Sequence, residues 1–194
     1  MTGTLYLCAT PIGNLGDITK RALDALSSAD IIAAEDTRHT LALLNHFNIK
    51  KPLISYHEHN KEKRGNEIIA LLKEGKNVAL VTDAGTPGIS DPGSDIAALC
   101  HKEGICVTSL PGACAAITAL SLSGLMSCRF VFEGFLPLDK KEKSEVLKSL
   151  AAEKRTVIFY EAPHRLIKTL LELKGFAGEK RVALARELTK KYEE

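Results

Sequence analysis

An α/β fold with a mainly parallel sheet is predicted by three features of this 194-residue chain. Apolar runs of four to seven residues alternate with amphipathic segments of helical period. The runs are apolar throughout rather than at every second position, as strands covered on both faces are. Glycine- and proline-rich turns follow several of them, at the strand ends where open α/β sheets gather ligands. Composition agrees: 45% hydrophobic and 26% charged residues are globular proportions and exclude a disordered, collagen-like or coiled-coil chain.

The elements follow in order. Residues 4–10 (TLYLCAT) read as a strand that PIGNLGD ends. Residues 18–28 set Ile18, Ala22, Leu23 and Leu26 at helical spacing, with Asp17 expected to cap them. Residues 30–34 form a short buried strand, 38–47 a helix, and 52–56 (PLISY) a strand. NKEKRGNEIIALLKEG is an amphipathic helix ending at Gly75. NVALVT (77–82) is a fully apolar strand, SDIAALCHKEG a helix closed by Gly104 and started by Asp91-Pro92, and ICVTSL (105–110) a fifth strand. A division is expected at Pro111-Gly112, giving units 1–111 and 112–194. In the second, PGACAAITALSLSGL reads as a helix, RFVFEGFLP as a strand, KKEKSEVLKSLAAE as a basic helix, RTVIFYE as a strand, HRLIKTLLELK as a helix, and RVALARELT (181–189) as a last strand.

Charge and cysteine usage narrow the function. Lys plus Arg is 26 against 24 for Asp plus Glu, a net +2. Any nucleic-acid contact must therefore come from a local patch. Two are visible, Lys61, Lys63 and Arg64 with Arg38, and Lys140, Lys141 and Lys143. No apolar run approaches the ~20 residues of a membrane span, and MTGTLYLCATP lacks a secretory n-region, so a cytoplasmic location is expected. The five cysteines are odd in number and include no CxxC, which reads as reduced thiols and no metal site.

Four segments after strands carry chemistry. Ala9 to Asp17 offers Gly13 and Gly16 for close approach but is not GxGxxG. Ala34 to Thr40 sets Glu35, Asp36, Arg38 and His39 at one strand end; a helix cap with Arg38 paired to a carboxylate is the plain alternative to proton handling. Thr82 to Gly93 holds three glycines, two prolines and two aspartates, longer than the two to six residues an ordinary connection needs, and lacks a Walker-type cradle. Phe159 to Arg165 groups Glu161, His164 and Arg165 behind Pro163.

Taken together, LCATPIGNLGDIT, AAEDTRHT, SYHEHN, VTDAGTPGISDPG, LPGACAAITALSLSGL, FEGFLP, FYEAPHR and ARELTK resemble the tetrapyrrole-methylase superfamily, and within it the branch that methylates a cytidine 2′-hydroxyl of small-subunit ribosomal RNA. The resemblance implies a class III S-adenosylmethionine (SAM) methyltransferase fold, SAM held in a cleft between the two subdomains, a homodimer, and a chain that in most members runs on well past the ARELTK segment. It implies cofactor contacts from Asp83, Ala84, Gly85, Ile89 and Ser90, from Pro111, Gly112 and Ala113 by backbone, and from Glu133, Gly134, Phe135, Ala185, Arg186, Glu187 and Leu188. A ribose hydroxyl needs a proton acceptor. Asp36 or Glu35 is the expected one, ahead of His39 and Glu161, with Arg38, His39, Lys61, Lys63, Arg64, His164 and Arg165 expected to meet ribosomal RNA or the assembled subunit. The alternatives are a superfamily methylase of a tetrapyrrole-like or diphthamide-precursor substrate, a non-catalytic ribosome-binding module, and a Mg²⁺-dependent phosphate hydrolase using the same carboxylates.

Overall fold

The computed structural model describes residues 1–178 and 180–194. They form two units, Met1–Cys114 and Ala115–Glu194.

The first unit runs β1 (Thr4–Cys8), α1 (Lys20–Ser28), β2 (Ile31–Ala34), α2 (Thr37–His46), β3 (Leu53–Ser55), α3 (Lys61–Lys73), β4 (Val78–Val81), α4 (Ser94–Lys102) and β5 (Cys106–Leu110). The strands lie in the order β3-β2-β4-β1-β5, and every neighbouring pair is parallel. From β1 the chain steps one way to β2 and β3; from β3 it returns to β4 and then β5. Right-handed crossovers therefore put α1 and α2 on one face and α3 and α4 on the other. The two cores show this. Leu26 of α1 and Leu44 of α2 pack with Ile32, Ala79 and Val81. Ile68 and Leu72 of α3 and Ile96 and Cys100 of α4 pack with Leu5, Val78 and Leu80. Alternate residues of β4 thus feed opposite cores, which is why the strand is apolar at every position. Burying each large side chain contributes roughly 1.5–3 kcal/mol. The departures from β2 and β4 diverge, so a crevice opens at their carboxyl ends.

Local chemistry sets the helix ends. Gly75 (φ +88°) and Gly104 (φ +67°) take the left-handed turn just past α3 and α4. Two expected caps shift. Thr19 caps α1, its Oγ1 accepting from the Ala22 amide at 3.2 Å, while Asp17 sits in a 3-10 turn over Leu15–Asp17 capped by Asn14. The chain runs extended through Ile18 and Thr19 before α1 starts, which moves the cap two residues on. Asp91-Pro92 does not start α4 either: Gly93 occupies that position at φ +150°.

The second unit runs α5 (Ala115–Leu122), β6 (Phe130–Phe135), α6 (Lys140–Ala151), β7 (Thr156–Tyr160), a 3-10 turn (Pro163–Arg165) and α7 (Leu166–Ala177). β6 and β7 are parallel, with an irregularity between Phe132 and Gly134. Asp139 caps α6, its Oδ1 accepting from the amides of Lys141 (2.9 Å) and Glu142 (3.0 Å). The Tyr160 hydroxyl accepts from the Ala116 amide at 3.1 Å and ties α5 to β7. The strand expected over 181–189 does not form: 181–186 are irregular and 187–192 bend and turn. Val182 and Leu184 have the right residue types but are 68% and 59% exposed. Strand propensity is realised through a partner across the ladder, and among the described residues this segment has none.

Candidate functional site

The first unit pins its strand-end loops to one another. Thr10 and Gly85 exchange backbone hydrogen bonds of 2.8 and 3.1 Å, and Thr10 Oγ1 donates to the Thr82 carbonyl at 3.2 Å. Thr86 Oγ1 donates to the Ala113 carbonyl at 3.0 Å. A Cβ on Gly112 would lie 2.7 Å from that of Ala9, and Gly85 holds φ +87°. The loops after β1 and β4 therefore meet backbone to backbone, and the loop after β5 packs against both at a distance only small residues allow. Ala84, Pro111 and Gly112 on this rim are exposed. The 82–93 loop also closes on itself. Gly88 donates to the Pro92 carbonyl (3.3 Å), Ile89 to that of Thr86 (3.2 Å), and Ser90 sits at φ +60°.

A second tie crosses the crevice. The Asp36 amide donates to Asp83 Oδ1 at 3.1 Å, and the Asp83 amide donates to Glu35 Oε2 at 3.4 Å. This reciprocal clasp sorts the carboxylates. Asp36 caps α2, accepting from the Arg38 amide at 2.8 Å, and grips the Arg38 guanidinium at 3.1 and 2.6 Å. The Arg38 hydrogen bonds hold its carboxyl well below the usual carboxylate range, so it is a poor proton acceptor. Glu35 moves the other way: burial raises its pKa, and the Asp83 charge adds to that against the Asp83 amide. Asp91 is pushed up to about 6 by burial and then by the charges of Glu35 and Asp83. The sequence reading counted Asp91 among the two aspartates of this loop and expected it to start α4 as well, but did not set it among the site residues.

Residues 4–194 fit the family of Tetrapyrrole (Corrin/Porphyrin) Methylases. The chain belongs to the tetrapyrrole methylase family. It is 56% identical over 193 residues to "Ribosomal RNA small subunit methyltransferase I" of Synechocystis sp., spanning 99% of this chain and 69% of that protein. It is 53% identical over 194 residues to the protein of the same name from Haemophilus influenzae, spanning 100% and 69%. The solved cobalt precorrin-4 methyltransferase shares the fold, with a TM-score of 0.69 at 20% identity over 98% of this chain and 83% of that one.

In this methylase several expected RNA contacts are already partnered. Lys61 lies 2.7 Å from both Glu58 and Asp95, Arg64 pairs with Glu67, and Arg38 with Asp36. Lys63 and His39 are exposed. The remaining expected residues lie in the second unit. Glu133 is exposed at the β6 irregularity, Gly134 is buried at φ +65°, and Phe135 packs on Tyr160 with ring centroids 5.5 Å apart. Ala185 is exposed, Arg186 pairs with Glu194, Glu187 pairs with Lys190, and Leu188 is buried. His164 is exposed, and Arg165 Nε lies 2.9 Å from Glu161. No three His, Cys, Asp or Glu side chains among the described residues are grouped to hold a metal.

Proposed function

We infer that this methylase transfers a methyl group from SAM to the 2′-hydroxyl of a cytidine in small-subunit ribosomal RNA, as a cytoplasmic homodimer. The observation that carries the chemistry is the clasp between the loops after β2 and β4, which joins Glu35 to Asp83 beside the small-residue rim, within range of the Asp91 charge. The RNA substrate rests on relatives more than half identical along nearly the whole chain. Among the described residues no helix is long and apolar enough to cross a membrane.

The residues fit the cofactor. A sulfonium cation suits a half-buried carboxylate crevice, where burial first and then the charges of Glu35 and Asp83 raise the Asp91 pKa. When bound, SAM supplies an electrophilic methyl carbon. Ala84, Gly85, Ile89, Ser90, Pro111, Gly112 and Ala113 would hold it by backbone and small side chains, with Asp83 facing the cation. Glu133, Gly134, Phe135, Ala185, Arg186, Glu187 and Leu188 join this set by resemblance alone. Glu35 would accept the ribose proton, since it is half-buried, has a raised pKa and lacks the arginine that silences Asp36. Asp36 instead orients the clasp through its amide. Holding acceptor and donor in line is worth up to ~7–11 kcal/mol, and a general base about 10²–10⁴-fold.

The test is calorimetric titration with SAM followed by transfer of labelled methyl to small-subunit RNA, free and assembled, with the product mapped for ribose methylation. Binding and a 2′-O-methylcytidine are expected. A titration without heat, or label appearing on a base, overturns the reading.

A further inference from the structure

The second unit has a groove of its own, of about 520 Å³. That lies within the ~300–1,000 Å³ of small-molecule sites. It opens at the carboxyl ends of β6 and β7, where Leu136, Pro137 and Leu138 leave the first strand and Glu161 the second. Parallel sheets place ligands at such ends.

Its floor is a connected polar network. Glu161 accepts from the Thr169 hydroxyl (2.7 Å) and the Ala162 amide (2.7 Å) and pairs with Arg165. Lys143 Nζ lies 2.6 Å from Glu172 and 3.4 Å from Thr169 Oγ1. Thr169 is only 3% exposed. Burial raises the Glu161 pKa, but Thr169, Ala162, Arg165 and Lys143 outweigh it and keep the carboxyl ionised. Both carboxylates of the groove are therefore spent on Arg165 and Lys143. Two further cations, Lys140 and Lys168, line the same groove and are exposed. The surplus is positive, and the walls add Leu138 and the half-exposed ring of Phe176.

Two exposed lysines over a fixed polar floor, beside an aromatic face, match an anion attached to a flat ring. A nucleotide phosphodiester has that chemistry. We propose that this groove binds the backbone of the RNA substrate, with Lys140 and Lys168 meeting phosphates and Phe176 stacking on a base or ribose. Arg165 and Lys143 are positioning residues that Glu161 and Glu172 hold toward the groove. The proposal rests on the ribosomal RNA reading above and extends it to a surface outside the carboxylate crevice. It also divides the second basic cluster seen in the sequence: Lys140 and Lys143 line the groove, and Lys141 does not.

The test uses the whole chain and a protein-free small-subunit RNA fragment, with binding measured across a salt series for wild type, Lys140→Gln/Lys168→Gln and Lys141→Gln. Removing one lysine–phosphate pair should flatten the salt slope by about one unit, hence about two for the double variant, with roughly tenfold weaker binding at moderate salt. Lys141→Gln should follow wild type. Phe176→Leu should weaken binding without moving the slope, because stacking releases no counterions. A double variant with unchanged slope and affinity overturns the proposal. So does weakening seen only on assembled subunits, which would assign the groove to an acidic protein surface. SAM calorimetry on the same samples separates the two readings: wild type that binds RNA through this groove but takes no SAM sinks the methyl-transfer reading alone.

Discussion

The two parallel sheets carry opposite chemistry at equivalent places. At the carboxyl ends of β2 and β4, Glu35, Asp83 and Asp91 act on one another's charge and the adjacent guanidinium is spent on Asp36. At the carboxyl ends of β6 and β7, cations outnumber carboxylates, and the carboxylates are spent on two of the cations. The same topology thus offers an acidic crevice, proposed above for a sulfonium and a proton, and a basic groove, proposed for a phosphodiester. What differs is which sign is left over after local pairing, and pairing follows from one or two residues at each strand end.

The comparison breaks most sharply at Glu35. Glu35→Gln should slow single-turnover methyl transfer about 10²–10⁴-fold with saturating SAM. Asp36→Asn should act mainly on stability, through the cap of α2 and the Arg38 pair. If both variants keep the wild-type rate, the acidic end has no catalytic part.

A smaller effect is expected at Gly93, where an added Cβ would lie 2.8 Å from the Gly88 amide at φ +150°. Gly93→Ala should cost about 1–3 kcal/mol and weaken SAM binding in parallel, read by thermal melting and calorimetry. Unchanged melting would show that the 82–93 loop is slack.

Asp91 sharpens the electrostatic side. Its carboxyl is raised from an ordinary 3.8 to about 6, so the folded chain holds that proton more tightly than the unfolded one. The resulting stabilisation is complete below the ordinary value and disappears as pH rises through about 6. Asp91→Asn should therefore melt higher than wild type above pH 6, with the gap closing toward pH 4. A gap independent of pH would mean that burial and the charges of Glu35 and Asp83 do not raise the Asp91 carboxyl.

The smallest effect is expected at the other basic patch. Lys61 and Arg64 are already paired with Glu58, Asp95 and Glu67, so Lys61→Ala and Arg64→Ala should each change the RNA salt slope by less than about one unit. A full unit from either would show that the pair opens to reach phosphate.

Much of this was legible beforehand. Continuous apolar runs marked β1, β2, β4 and β5, because a strand between two helical layers has no polar face to show. Helical spacing marked α1 to α4, α6 and α7, and the cap at Asp36 was already the plain alternative to a catalytic role. The expected strand at 181–189 failed because its β-prone residue types do not supply a partner. Asp91 was left out of the site residues for a related reason: its neighbours Glu35 and Asp83 come from other positions along the chain, and nothing local announces them.

The residues alone determined the layered α/β architecture, the family and the loops that carry chemistry, since periodicity, turn residues and motif order are written along the chain. Only the folded chain decided which charges remain available. Asp83 and Glu35 are 48 residues apart in sequence and joined by a hydrogen bond in space. Hydrogen bonds, burial and neighbouring charge set whether a carboxyl is lowered, as at Asp36, or raised, as at Glu35 and Asp91. Those quantities depend on distances between segments, which no local pattern encodes.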